Sequence, residues 1–183
     1  MKRLFPIASV IAVGAIALTL RTGTAAPTPT PTRATDLDDA TIVAIFDAAN
    51  TADIETGELA AKKGTTKEVR DFGAMLARDH KAVRQQGRDL AKKLSVTPAP
   101  PKDDEGGKAH AAAMKKLNGV AGKDFDKAFL EHEVGYHAAV IGAVEKTLLP
   151  AIKNAELKDL VVKVAPAFAA HRDAAKNLLS KGM

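Results

Sequence analysis

The stretch "VRDFGAMLARDHKAVRQQGRDLAKKL", Val69 to Leu94, decides how the chain folds. Stepping through it by three and four residues meets Val69, Phe72, Leu76, His80, Val83, Gly87, Leu90 and Leu94. A stripe with this spacing runs along one face of an α-helix. The residues between are mostly charged, as a solvated outer face requires. The stripe is apolar except near its middle, where His80 stands in the place of a leucine. An imidazole inside a buried stripe needs partners, because a polar group taken out of water is costly unless it is paired.

The same spacing recurs on both sides of this segment. A first helix is predicted over about Asp39–Lys63, with Ile42, Ile45, Phe46, Ala49, Ala52 and Leu59 on its apolar face. Thr35, Asp36 and Asp38 supply capping oxygens before it, and Gly64 ends it. The second helix covers about Thr66–Leu94. "SVTPAPPKDDEGG" (Ser95–Gly107) then interrupts the pattern with prolines and glycines, and a short helix over about Lys108–Leu117 is expected within this connection. A third long helix, about Lys123–Leu149, carries Leu130, Val134, His137, Ile141, Val144 and Leu148, beside a second row of Phe125, Phe129, His132 and Tyr136. A fourth, about Leu157–Ser180, carries Leu157, Val161, Val164, Phe168, His171, Ala175 and Leu178, with Pro166 expected to bend it. No segment alternates as a strand does. Four amphipathic helices must hide four apolar faces, so the expected fold is all-α, a four-helix bundle. Its two short joints make antiparallel hairpins. Its long middle connection matches the single crossover of ferritin-like bundles.

Composition agrees. The chain is rich in alanine, with 4 % aromatics, no Trp and one Tyr. It has no cysteine, which excludes disulfides, thiolate metal sites and Cys nucleophiles. "MKRLFPIASVIAVGAIALTLRTGTAAPTP" opens with Lys2 and Arg3, continues with an apolar run from Leu4 to Leu20 and exits through small residues. This is the build of a secretory signal peptide over residues 1–25, cut after Ala25. The alternative is an uncleaved anchor, for which the apolar run is short. Residues 26–36 read as a Pro/Thr-rich tether, and residues 37–183 as the folded domain. The expected location is therefore periplasmic or secreted, with no membrane contact beyond the signal segment. The net charge is +5, from 27 basic and 22 acidic residues. Removing Lys2, Arg3 and Arg21, and no acid, leaves 24 against 22, or +2. That balance makes no case for nucleic acid. The lysines are scattered over polar helix faces, and no protein partner or oligomeric state can be named from them.

His80 has counterparts. His137 and His171 lie in the stripes of the third and fourth helices, and Glu55 falls between Ala52 and Leu59 on the first. Each lies near the middle of its helix, so all four are expected near one level of the bundle. One polar residue per helix, facing inward at one height, is how bundles build metal sites. With Asp79 as a further carboxylate, the expected set is Glu55, Asp79, His80, His137 and His171. Such ligands suit one divalent transition metal, zinc, copper or iron. The same residues also fit a polar layer, hydrogen-bonded across the core, that fixes helix register without any metal.

"FDAANTADIETGELAAKKGTTKEVRDFGAMLARDHKAV", "FDKAFLEHEVGYHAAVI" and "APAFAAH" resemble the signature of the exported DUF4142 family, ferritin-like proteins of unassigned function. The matching positions are Asp53-Ile54-Glu55, Asp79-His80, Phe125-Asp126, Phe129, His137 and His171. The resemblance implies a ferritin-like helical fold and export, and supplies no reaction. One feature departs from dinuclear ferritin-type sites, which use Glu-x-x-His on two helices. Ala77, Val134 and Phe168 stand three residues before His80, His137 and His171. His132 and Glu133 flank the third stripe, with one of them expected in solvent, and His110 is expected to be exposed. No phosphate loop, G-x-S-x-G or His-Glu-x-x-His pattern occurs. The expected role is a non-catalytic envelope protein, related to stress, with a buried His layer; the alternative is a mononuclear transition-metal binder, and a ferritin-like redox enzyme ranks below both.

Overall fold

The computed structural model describes residues 37–182. The expected signal peptide (residues 1–25) and tether (residues 26–36) lie outside the described residues, and no helix among the described residues is long and apolar enough to cross a membrane.

Every regular element among the described residues is helical, and four of the helices begin at a side-chain cap. α1 (Asp39–Lys63) starts where the Asp38 carboxylate accepts the Thr41 N–H at 2.8 Å. α2 (Lys67–Lys93) starts where Thr66 Oγ1 accepts the Val69 N–H at 3.2 Å. α3 (Glu105–Asn118) is capped by Asp104, and α6 (Ala155–Ser180) by Asn154. These side chains satisfy N–H groups that the first turn leaves without partners. The long third helix of the sequence reading is α4 (Gly122–Ala143), which starts after Ala121 without a side-chain cap and is continued by a π-helical turn (Val144–Leu148) and a single turn, α5 (Leu149–Ala151). Pro150 accounts for the interruption. It has no N–H for the Lys146 carbonyl four residues back, and its ring crowds that carbonyl. The chain widens instead, and the Leu149 N–H reaches the Val144 carbonyl. Pro166 lies inside α6 on its exposed side, and the helix continues through it.

α1 lies along α2, α4 lies along α6, and the pairs meet through α2 with α6 and α1 with α4. α1 and α2 approach closely where two glycines face each other. A Cβ on Gly57 would stand 2.6 Å from the Gly73 carbonyl oxygen, and one on Gly73 equally close to the Gly57 oxygen. α3 rests on α1 and α4 through the buried Leu117, and Lys63 donates to the carbonyls of Leu117, Asn118 and Val120. One apolar cluster gathers Ile42, Phe46, Val144, Leu148, Val161 and Phe168. Another gathers Val69, Phe72, Leu76, Phe125, Phe129 and Leu130. The buried polar side chains of the core fall into neither.

Candidate metal centre

Each long helix contributes to a layer of buried polar groups. α1 supplies Asn50 and Asp53, α2 supplies His80, α4 supplies Glu133 and His137, and α6 supplies His171. The spacing is helical throughout: Ile42, Phe46, Asn50, Asp53, Gly57 and Ala60 form the inner row of α1. The imidazole centroids lie 5.1 to 5.7 Å apart, and Phe168 stacks on His80 at 5.9 Å with ring planes 9° from parallel.

The hydrogen bonds around the rings determine which nitrogens carry protons. The Asn50 amide donates from Nδ2 to the Phe46 carbonyl at 2.8 Å, so its Oδ1 is left to accept. His80 Nδ1 stands 2.9 Å from that oxygen and must be the donor, which leaves a lone pair on Nε2. His137 Nδ1 donates to the Glu133 carbonyl at 3.0 Å, again leaving Nε2 bare. His171 Nε2 faces the Asp79 carboxylate at 3.4 Å. His171 Nδ1 and His80 Nε2 face each other 3.2 Å apart. With its proton on Nδ1, His171 donates to His80; with its proton on Nε2, it donates toward Asp79 instead. In the second tautomer each ring has its outer nitrogen held by an acceptor and its inner nitrogen free, the pattern of histidines that ligate a metal.

Electrostatics act in the same direction. Burial, followed by the neighbouring His171 and His137, pushes the His80 pKa down to about 3. Burial also lowers that of His171, with Asp79 only partly opposing. His80 and His171 are therefore held as neutral imidazole, the form that binds metal. Burial and then the adjacent Glu133 push the Asp53 carboxyl well above its usual range.

The carboxylates extend the donor set. Asp53 lies 3.5 Å from His80 Nδ1 and 3.8 Å from His137 Nε2, and Glu133 Oε2 lies 3.4 Å from His137 Nδ1. Two triads result, His80/His137/His171 and Asp53/Glu133/His137, each offering one donor atom per residue within 4.8 Å of the others. Asp53 Oδ1, both Glu133 carboxylate oxygens and His137 Nε2 are buried with no hydrogen-bond partner. A buried polar atom left unpaired costs about 1–3 kcal/mol, so this collection is anomalous unless something cationic completes it. The donors fit such an ion. Nitrogens 3.2 Å apart match the edge of a tetrahedron with metal–nitrogen bonds of about 2.0–2.1 Å.

The expected carboxylates are placed differently from the reading of the sequence. Glu55 is exposed and pairs with His110 Nε2 at 2.7 Å, away from the layer. Residues two apart on a helix point in nearly opposite directions, about 200° around the axis, so Asp53 faces inward because Glu55 faces out. Asp79 stays at the rim, half-buried, bonded to Arg78 at 2.9 Å as well as facing His171. His110 is half-buried rather than exposed. Of the flanking pair on α4, His132 is half-buried and Glu133 completely buried. Asn50, Asp53 and Glu133 are the contributors that stripe counting misses. The available signals were Asn50 and Asp53 in register with Phe46 and Gly57, and Glu133 one helical turn before His137.

The chain matches the family described as "Domain of unknown function (DUF4142)" over residues 24–178, and it belongs to that family. No curated protein and no solved structure matches it.

Proposed function

We propose that this DUF4142 protein is an exported, ferritin-like four-helix bundle that binds one divalent transition metal in its core. His80 Nε2, His137 Nε2 and His171 Nδ1 are the nitrogen ligands, with Asp53 as the nearest carboxylate and Glu133 beside it. Asp79 and Asn50 orient His171 and His80 from outside. The observation that carries this reading is the unsatisfied set: Asp53 Oδ1, both Glu133 oxygens and His137 Nε2 lack partners, beside two further imidazole nitrogens 3.2 Å apart. A layer serving only helix register is expected to satisfy its own members. Mixed imidazole and carboxylate donors suit zinc, copper or iron. Export rests on the sequence of residues 1–25, and intact mass of the protein from its native compartment tests it.

Calorimetric titration of metal-free protein with zinc, copper(II) and iron(II) tests the metal reading. Saturation near one equivalent is expected, with affinity falling as pH drops through about 6.5, where protons compete for imidazole. The His80→Ala, His137→Ala double variant, checked for helicity by circular dichroism, should lose this binding. Absence of saturable binding by the wild type would leave a purely structural polar layer.

A further inference from the structure

A cleft of about 70 Å³ between α1 and α4 runs to the layer, and Asp79 and Arg78 do not line it. Its walls are apolar, among them Ile45, Val140, Val144, Leu148 and Phe168. Only Asn50, Asp53 and His80 bring polar atoms to it, and all three are buried. The π-helical turn supplies Val144 and Leu148 to this wall. Such turns interrupt α-helices most often at functional sites. The rim at His171 is different, since Asp79 and Arg78 flank it and reach solvent.

We propose that the cleft is a binding site for a small uncharged ligand, of the size of a diatomic gas, and that it delivers this ligand to the metal. The proposal rests on the metal reading for its second half only. An ion or a charged metabolite would lose most of its hydration among these side chains, with polar groups only at the inner end to replace it. The apolar walls favour an uncharged guest. The cation itself has a more favourable approach past Asp79, so the two approaches divide the traffic by polarity. The inner end of the cleft touches His80 and Asp53, so a guest there lies against proposed ligands of the metal.

Two probes separate the halves. Xenon applied to the metal-free protein should shift the methyl resonances of Ile45, Val140 and Leu148, and should not do so in the Ala49→Leu, Ala143→Leu variant, whose new side chains fill the cleft. Nitric oxide added to the iron(II) protein should form a one-to-one adduct, visible by electron paramagnetic resonance. In the filled variant the association should slow by about ten-fold or more, with iron affinity unchanged. No xenon shift in the wild type overturns the binding site. Equal nitric oxide association in wild type and filled variant, or no adduct on bound iron, overturns delivery. Failure of iron to bind at all defeats the metal reading and delivery with it, while the xenon result still decides the site.

Discussion

Asp53 and Asp126 are both buried, with 3 % and 1 % of their surface exposed, and they differ in what surrounds them. Asp126, in α4, faces the joint between α1 and α2. Its carboxylate accepts the Thr65 N–H at 2.9 Å and also takes the Thr65 hydroxyl. The donors come with the fold, and the carboxyl group fastens a turn that joins two helices to a third. Asp53 sits where α1 faces His80 and His137, and its Oδ1 has no donor. Its neighbours are the bare Nε2 of His137, the His80 Nδ1–H already given to Asn50, and another carboxylate, so burial and Glu133 raise its pKa instead of stabilising its charge. A buried carboxylate that serves the fold brings its hydrogen-bond donors. One that lacks them, beside three histidines, is what the proposed metal site would use.

That contrast can be broken by substitution. Asp126→Ala should cost about 3 kcal/mol in urea unfolding, because it strands the Thr65 donors and removes bonds to a charged acceptor. It should leave metal affinity alone. The contrast fails if this variant loses metal binding.

Zinc at a hundred times its dissociation constant should raise stability by about 2.7 kcal/mol, read as a rise in melting temperature. Asp53→Asn should reduce this gain sharply, and Asp126→Asn should not.

Without metal, acid should destabilise the protein below the ordinary histidine value. The folded pKa of His80 is depressed to about 3, so below about 6.5 the unfolded chain takes up a proton that the folded chain refuses. Stability present above 6.5 is lost as pH falls, at about 1.4 kcal/mol per pH unit for one such group, or about 2 kcal/mol between pH 6.5 and 5. His171 acts in the same direction. Asp53 acts in the opposite one. Its folded pKa is raised, so it gains a proton on folding between its ordinary and its raised value, and acid favours the fold through it. The fall measured by chemical denaturation across this range should therefore be steeper in Asp53→Asn. An equal slope in the two proteins would place Asp53 outside the coupled layer.

The smallest effect sharpens the same point. Metal-free Asp53→Asn should be more stable than the metal-free wild type at pH 8 by about 1 kcal/mol, since a neutral amide is cheaper to bury than a carboxylate without donors. Asp126→Asn should be less stable than wild type under the same conditions. Opposite signs for the same substitution at two buried aspartates would be the clearest demonstration of their different roles.

The helices and the histidine rows were legible in the sequence, because a helix repeats its facing every three to four residues and large apolar side chains mark that face. Val69, Phe72 and Leu76 place His80; Leu130 and Val134 place His137; Val164 and Phe168 place His171. α1 was harder. Its residues Ala44, Ala48, Ala49 and Ala52 are small enough to lie on any face, so Glu55 passed for an inward residue when the inward acid is Asp53. Glu133 was overlooked because it stands beside the apolar row of α4 instead of within it. Only the fold turns it inward, where α4 meets its neighbours.

The sequence by itself determined the helical class, the capped starts of α1 and α2 and the histidine-bearing rows of α2, α4 and α6. These follow from local propensity and periodicity, which each segment carries alone. The tertiary structure decided which carboxylates stand among the histidines, which imidazole nitrogens are left bare and where an apolar cleft meets them. Those depend on the rotation and close approach of separate helices, set by contacts such as Gly57 against Gly73 and by the widening of the helix before Pro150. A rotation of α1 by half a turn would exchange Asp53 for Glu55 and carry Ile42 and Phe46 out of the core. Packing against three other helices, which no single segment encodes, selects between them.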